Sequence, residues 1–197
     1  YHFMRGEETL SVGSAGCNLH CSFCQNWQIS QVLAPTTTVV PEQIVEAANG
    51  RSIAYTFSEP LMWFEFVLDT ARLAHINGLK NVLVTNGFIN KDPLIELSQY
   101  IDAANIDLKG FSNSFYAKLG GNIAPVKQTI EFLQGRCHIE LTFLIIPGEN
   151  DSPEEIYAMV DWIAKIDPFI PLHIARYYPA YKKNLPETSF ETLHKAS

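Results

Sequence analysis

The chain has 197 residues, 47% of them apolar, enough for one domain with a sizeable core. Its formal charge of -7 argues against a general affinity for nucleic acid or for an anionic membrane surface. No apolar run approaches the length of a membrane span, no signal peptide is visible, and the cysteine spacing is poor for a secreted disulfide framework, so the expected compartment is the reducing cytoplasm.

In chain order, strands are predicted at Thr9–Ser14, Ser52–Phe57, Asn81–Thr85, Ala104–Leu108, His138–Ile146 and Pro171–Tyr177, each short and apolar on both faces. Helical stretches separate them. Pro41 opens "PEQIVEAAN" and Asp92-Pro93 opens "DPLIELSQY", both at first-turn positions. The stretch Leu61–Asn77 stops at Gly78, a natural left-handed cap. Ser152 and Glu155 read as a capping box ahead of "EIYAMVDWIAKI". Strand and helix alternate without repeats or low-complexity linkers, which predicts an α/β fold: a partial (βα)6 barrel of parallel strands, closed or nearly closed.

Such a sheet gathers ligand-binding residues at the C-terminal ends of its strands. The polar residues of this chain fall there in turn. A cysteine loop follows the first strand, Ser58-Glu59 the second, and Asn86-Gly87 the third. Asp107 and Lys109 close the fourth strand, Pro147-Gly148 follows the fifth, and Arg176 to Tyr178 end the sixth. Connectivity alone therefore predicts an active site at this rim.

The loop "AGCNLHCSFCQNW" holds Cys17, Cys21 and Cys24; the fourth cysteine, Cys137, opens an apolar strand far along the chain and reads as a small buried hydrophobe. Structural zinc calls for four closed ligands, and no second cysteine pair is present. His20, beside Cys21, is poorly placed for the same ion. A 4Fe-4S cluster takes thiolates, and three of them leave one iron open to a ligand that is not protein. Ligand count and spacing favour the cluster over zinc or plain buried thiols. Simpler readings accompany the other residues: Glu59 as a helix cap, Asp107 and Lys109 as an ion pair, Asn86-Gly87 as a turn. His173 reads as a hydrogen-bonded core histidine and His138 as structural. Trp27, Trp63 and Trp162 read as packing residues.

Cys17-x3-Cys21-x2-Cys24, with aromatic Phe23 before the last cysteine, resembles the signature of the radical SAM superfamily. With "YTFSEP", "VTNG" and "NIDLKG" it is most similar to the pyruvate formate-lyase activating enzyme group, and within it to the AmmeMemoRadiSam-system branch. The resemblance runs from about Leu10 to Lys183. Its members are longer at both ends, and this chain begins with Tyr1, so one radical SAM core domain over 1–197, excerpted from a longer protein, is the expectation.

The resemblance implies a 4Fe-4S cluster on Cys17, Cys21 and Cys24, with S-adenosylmethionine on the open iron. It also implies reductive cleavage to a 5'-deoxyadenosyl radical and an electron donor of flavodoxin or ferredoxin type. It places Phe23 and Gln25 against adenine, and Ser58-Glu59 where the family's Gly-Gly-Glu segment meets the cofactor's ammonium. Asn86 lies in the segment after the third strand. Asp107-Leu108-Lys109 matches an Asp-x-Lys that meets ribose and carboxylate, and Tyr178 stands where the branch carries a histidine. Phe57 and Ser58 replace the glycines, and Val84 replaces an acid of a monovalent-cation site. The implied activity is a glycyl-radical activase acting on a protein substrate. The alternatives are a radical enzyme acting on a small molecule or modified RNA, and a non-enzymatic zinc-binding interaction module.

Overall fold

The computed structural model describes residues 2–196. Six strands form one parallel sheet in sequential order, β1 (Thr9–Val12), β2 (Ser52–Tyr55), β3 (Asn81–Thr85), β4 (Ala103–Asp107), β5 (His138–Ile145) and β6 (Leu172–Arg176). Parallel neighbours need crossovers, and helices supply them. These are α1 (Trp27–Ser30), α2 (Pro41–Ala48), α3 (Phe64–Ile76), α4 (Lys91–Ser98), α5 (Asn113–Lys118), α6 (Ile123–Leu133) and α7 (Pro153–Ile166), with α8 (Phe190–Ala196) after the last strand. All six predicted strands are present, within one or two residues at their ends.

Two expectations need correction. No pairing joins β1 to β6 among the described residues, so the partial barrel stays open rather than nearly closed. Consequently β1 alternates exposed with half-buried positions and β6 is half-buried throughout, instead of being apolar on both faces. The second concerns the box before α7. Ser152 Oγ accepts from Glu155 N–H as a cap should, but the Glu155 carboxylate turns away to accept from Phe111 N–H and ties α7 to the loop after β4.

The side-chain period of two divides the sheet between a lumen and a packed outer layer. Along β5, Ile139, Leu141, Phe143 and Ile145 are buried in the main core, while Glu140, Thr142 and Leu144 turn to the lumen. Along β4, Ile106 and Leu108 enter the core and Asn105, Asp107 and Lys109 take the lumen side. The helices lay their apolar stripes on that outer layer: Val67 and Ala71 from α3, Val126 and Ile130 from α6, Met159 and Ile163 from α7. Burying one Leu or Ile contributes roughly 1.5–3 kcal/mol, so this layer dominates the stability. The lumen, lined by small or polar residues such as Ser11, Ala54 and Asn105, is left hollow. Among the described residues, no helix is long and apolar enough to cross a membrane.

Candidate active site

A cleft of about 330 Å³ opens at the C-terminal ends of the strands. Cys17, Cys21 and Cys24 line it, with Phe23, Gln25, Ser58, Glu59, Asn86, Asp107 and Lys109. With Thr142 and Leu144 of β5 and Ala175 of β6, six sequence segments thus meet in one cavity.

The cysteine loop lacks regular structure, so its shape comes from bonds to its surroundings. Gly16 N–H donates to Ile29 O at 2.8 Å and His20 N–H to Leu119 O at 2.8 Å. The Gln31 amide donates to Leu19 O at 2.9 Å and the Asn18 amide to Phe88 O at 2.7 Å. Gly121 lets the loop pack closely: a Cβ there would stand 2.6 Å from Leu19 Cδ2. Phe23 is buried against Phe115, with ring centroids 6.2 Å apart. The sulfurs are therefore carried on a braced loop rather than a flexible one.

All four cysteines are free thiols. Burial pushes the Cys21 thiol up to about 11 and raises Cys17 as well, so without a bound cation both stay protonated at neutral pH. Hydrogen-bonding groups already face two of the sulfurs. Leu19 N–H lies 3.4 Å and the Asn86 amide 3.7 Å from Cys17 Sγ, and Ser30 Oγ is 3.0 Å from Cys24 Sγ. Contacts of this kind tune an iron–sulfur centre. Its place after β3 marks Asn86 in the sequence, but its approach to a cysteine is a finding of the structure; Ser30 carries no sequence signal at all.

Glu59 is 3% exposed and sits between three donors. Its Oε1 accepts from Thr85 Oγ1 at 2.6 Å and Leu61 N–H at 3.2 Å, and its Oε2 accepts from Asn86 N–H at 2.8 Å. The cap is real: Glu59 opens the short 3-10 turn Pro60–Trp63. Burial lifts its carboxyl to about 7, with the three donors and the Lys109 charge pulling the other way. Phe57, two residues earlier, has φ of 69°, a left-handed conformation that costs a non-glycine residue about 1 kcal/mol or more. Its place is one of the two glycines of the resembled motif, so the backbone keeps a glycine-like shape without the glycine.

Lys109 Nζ lies 2.7 Å from Asp107 Oδ2. Burial alone would lower the ammonium, but Asp107, with Cys21, reverses this and holds it raised. Both charges line the cleft, so the ion pair and a ligand role are compatible.

Two residues expected at the site are elsewhere. Leu108 is fully buried in the core, because strand alternation turns it away from its neighbours Asp107 and Lys109. Tyr178 is half-exposed outside the cleft; its backbone carbonyl accepts from the Gln25 amide at 3.0 Å and its ring packs under Arg176.

The cleft suits a bound group in two respects. Ser58 Oγ is buried at its wall and has no hydrogen-bond partner among the described residues, a defect worth roughly 1–3 kcal/mol that a polar ligand would repair. The three sulfurs also line one and the same cavity. Three thiolates fall one short of the closed four-ligand set of structural zinc, and on a 4Fe-4S cluster they leave one iron open.

The sequence matches the radical SAM superfamily over residues 11–162. The uncharacterized protein MJ0808 of Methanocaldococcus jannaschii is 36% identical, across 100% of this chain and 61% of its own length. The pyruvate formate-lyase 1-activating enzyme of Escherichia coli (strain K12) is 25% identical over 73% of this chain and 63% of its own. Among solved structures, Streptococcus suis SuiB bound to S-adenosylmethionine is similar in fold, with TM-score 0.75 and 16% identity over 95% of this chain and 45% of that one. The chain therefore spans less than two thirds of each of these three proteins. With a family match over most of its length and the cysteine loop placed at the mouth of a parallel partial barrel, the chain belongs to the radical SAM superfamily.

Proposed function

We propose that this chain is the single core domain of a radical SAM enzyme of the activating-enzyme type, which abstracts hydrogen from a glycine of a partner protein. The observation that carries the reading is the cleft itself, where three thiols on a braced loop face an ion-paired lysine and an orphaned serine hydroxyl. The named activating-enzyme relatives support the protein substrate.

Cys17, Cys21 and Cys24 would hold a 4Fe-4S cluster and leave one iron for S-adenosylmethionine. When bound and reduced by a flavodoxin- or ferredoxin-type donor, this pair supplies reductive cleavage to methionine and a 5'-deoxyadenosyl radical. The residues of the chain bind and orient. Lys109 offers a charge-assisted bond to the cofactor carboxylate, and Asp107 accepts from a ribose hydroxyl. Ser58 gives its hydroxyl to the polar end of the methionine moiety. Glu59, with three of about four lone-pair sites already used, braces this wall and places one negative charge near the cofactor ammonium. Phe23 and Gln25 form the adenine side. Asn86 donates toward Cys17 and steadies the cluster loop through Asn18.

The test is product analysis on the full chain, loaded anaerobically with iron and sulfide and reduced with dithionite. Methionine and 5'-deoxyadenosine should appear in equal amounts, faster when substrate closes the site. A glycyl-radical partner should then gain a stable EPR doublet. Cleavage with no radical on any candidate protein would move the substrate to a small molecule or modified RNA. No cleavage by iron-loaded, reduced protein would overturn the proposal.

A further inference from the structure

The lumen has a second end. Beyond Thr56, Phe57 and Val84, which border both cavities, a further hollow of about 430 Å³ runs to the N-terminal ends of the strands, where residues 3–7 lie across it. The residue that organises this end is Glu140 on β5, 2% exposed. Its Oε1 accepts from His2 N–H at 2.6 Å, Phe3 N–H at 3.1 Å and the His138 ring at 3.0 Å; its Oε2 lies 2.5 Å from His173 Nε2. Neither lysine nor arginine pairs with this carboxylate among the described residues. A buried charge needs a compensating one. Histidine supplies it only when protonated, whereas a divalent cation supplies it with the imidazoles neutral.

We propose that His2, Glu140 and His173 form a site for a zinc-class divalent cation, separate from the cysteine cleft. Among the described residues this is the one group of three such side chains whose ligand atoms all lie within 4.8 Å of one another. Two imidazoles and one carboxylate are a donor set that zinc and its first-row neighbours accept, with a further position open to water. Around one ion the donors would stand roughly 3.3 Å apart, so the His173–Glu140 contact opens by about 1 Å. His138, bonded to the same carboxylate, steadies it from the side. Arg5, 3.2 Å from His2 Nδ1, is exposed and can swing to solvent. The three ligands come from the N-terminal segment, β5 and β6. A bound ion would clamp that segment over the lumen and close the end of the barrel opposite the chemistry.

The test uses the full chain with Cys17, Cys21 and Cys24 all replaced by serine, so its outcome is independent of the radical reading. Titration with Co2+ should show one equivalent bound with visible d–d bands free of sulfur charge transfer, displaced by Zn2+. Glu140→Gln and His173→Ala should each weaken binding by roughly ten-fold or more. His2→Ala removes an exposed side chain, and circular dichroism should show the fold of each variant intact. It should weaken Co2+ by a similar factor and abolish the rise in melting temperature that Zn2+ produces. No stoichiometric uptake, or uptake unchanged by His2→Ala, overturns the proposal.

Discussion

The two ends of the lumen use buried carboxylates in opposite ways. At the N-terminal end, burial alone would raise the Glu140 carboxyl, but two histidines and two backbone N–H groups outweigh it and hold the group near 2. At the C-terminal end Glu59 also has three donors, yet burial dominates and lifts it to about 7. One end holds an ionised carboxylate that is well hydrogen-bonded but has neither lysine nor arginine beside it among the described residues. The other holds an uncomfortable acid, an orphaned hydroxyl at Ser58 and a strained backbone at Phe57. The orphaned hydroxyl and the strained backbone at the cysteine end fit a site preorganised for a charged cofactor, while the Glu140 end lacks only a cation.

The sharpest break in this comparison is Cys17→Ser. It removes one of the three proposed cluster ligands from a braced loop, so iron content should fall from about four per chain to near zero and cleavage by over a hundred-fold. Far-ultraviolet circular dichroism should not change, because serine is close to cysteine in size and Cys17 only packs against the margin of the core.

The next effect is on pH. The raised Glu59 carboxyl binds its proton more tightly in the folded protein than in the unfolded chain. Its contribution is thus full below the ordinary glutamate value and lost as pH rises through about 7. Cluster-free protein should lose on the order of 3 kcal/mol of stability across that window, and Glu59→Gln should flatten this part of the profile in urea titrations. A profile identical in both proteins would assign the loss elsewhere.

Lys109→Met should weaken S-adenosylmethionine binding by roughly 1.5–3 kcal/mol in calorimetry, while the thiols still assemble iron. Unchanged affinity would leave Lys109 as Asp107's ion-pair partner only. The smallest effect belongs to Ser58→Ala. Deleting an orphaned buried hydroxyl should stabilise the empty protein by up to about 1 kcal/mol yet weaken cofactor binding several-fold. Equal affinity in both would remove Ser58 from the site.

The six strands were legible because short runs rich in Val, Ile and Leu, bounded by polar turns and separated by helical stretches, read as parallel strands. The open edge was not, because nothing local in β1 or β6 announces whether the two will pair. Short α5, with its buried Phe115 and Tyr116, was equally silent: its packing rather than its periodicity defines it. At the site, spacing exposed the three cysteines and the Asp107–Lys109 pair. It exposed neither Ser30 beside Cys24 nor the turning-away of Leu108, since sulfur contacts and side-chain direction belong to the folded backbone. Tyr178 was placed by motif position, and its half-exposed ring shows how little such a position says about orientation. His2 offered no signal: it meets Glu140 across 138 residues of chain.

The three thiols of this cleft are proposed to hold a cluster with one iron open to S-adenosylmethionine. Low-temperature EPR of the reduced, iron-loaded full chain, recorded before and after adding S-adenosylmethionine, tests it most directly. A single 4Fe-4S signal is expected whose g-values and line shape change on addition, with the change weakened by Lys109→Met. A spectrum indifferent to S-adenosylmethionine, or stoichiometric zinc in place of iron at these cysteines, would contradict it.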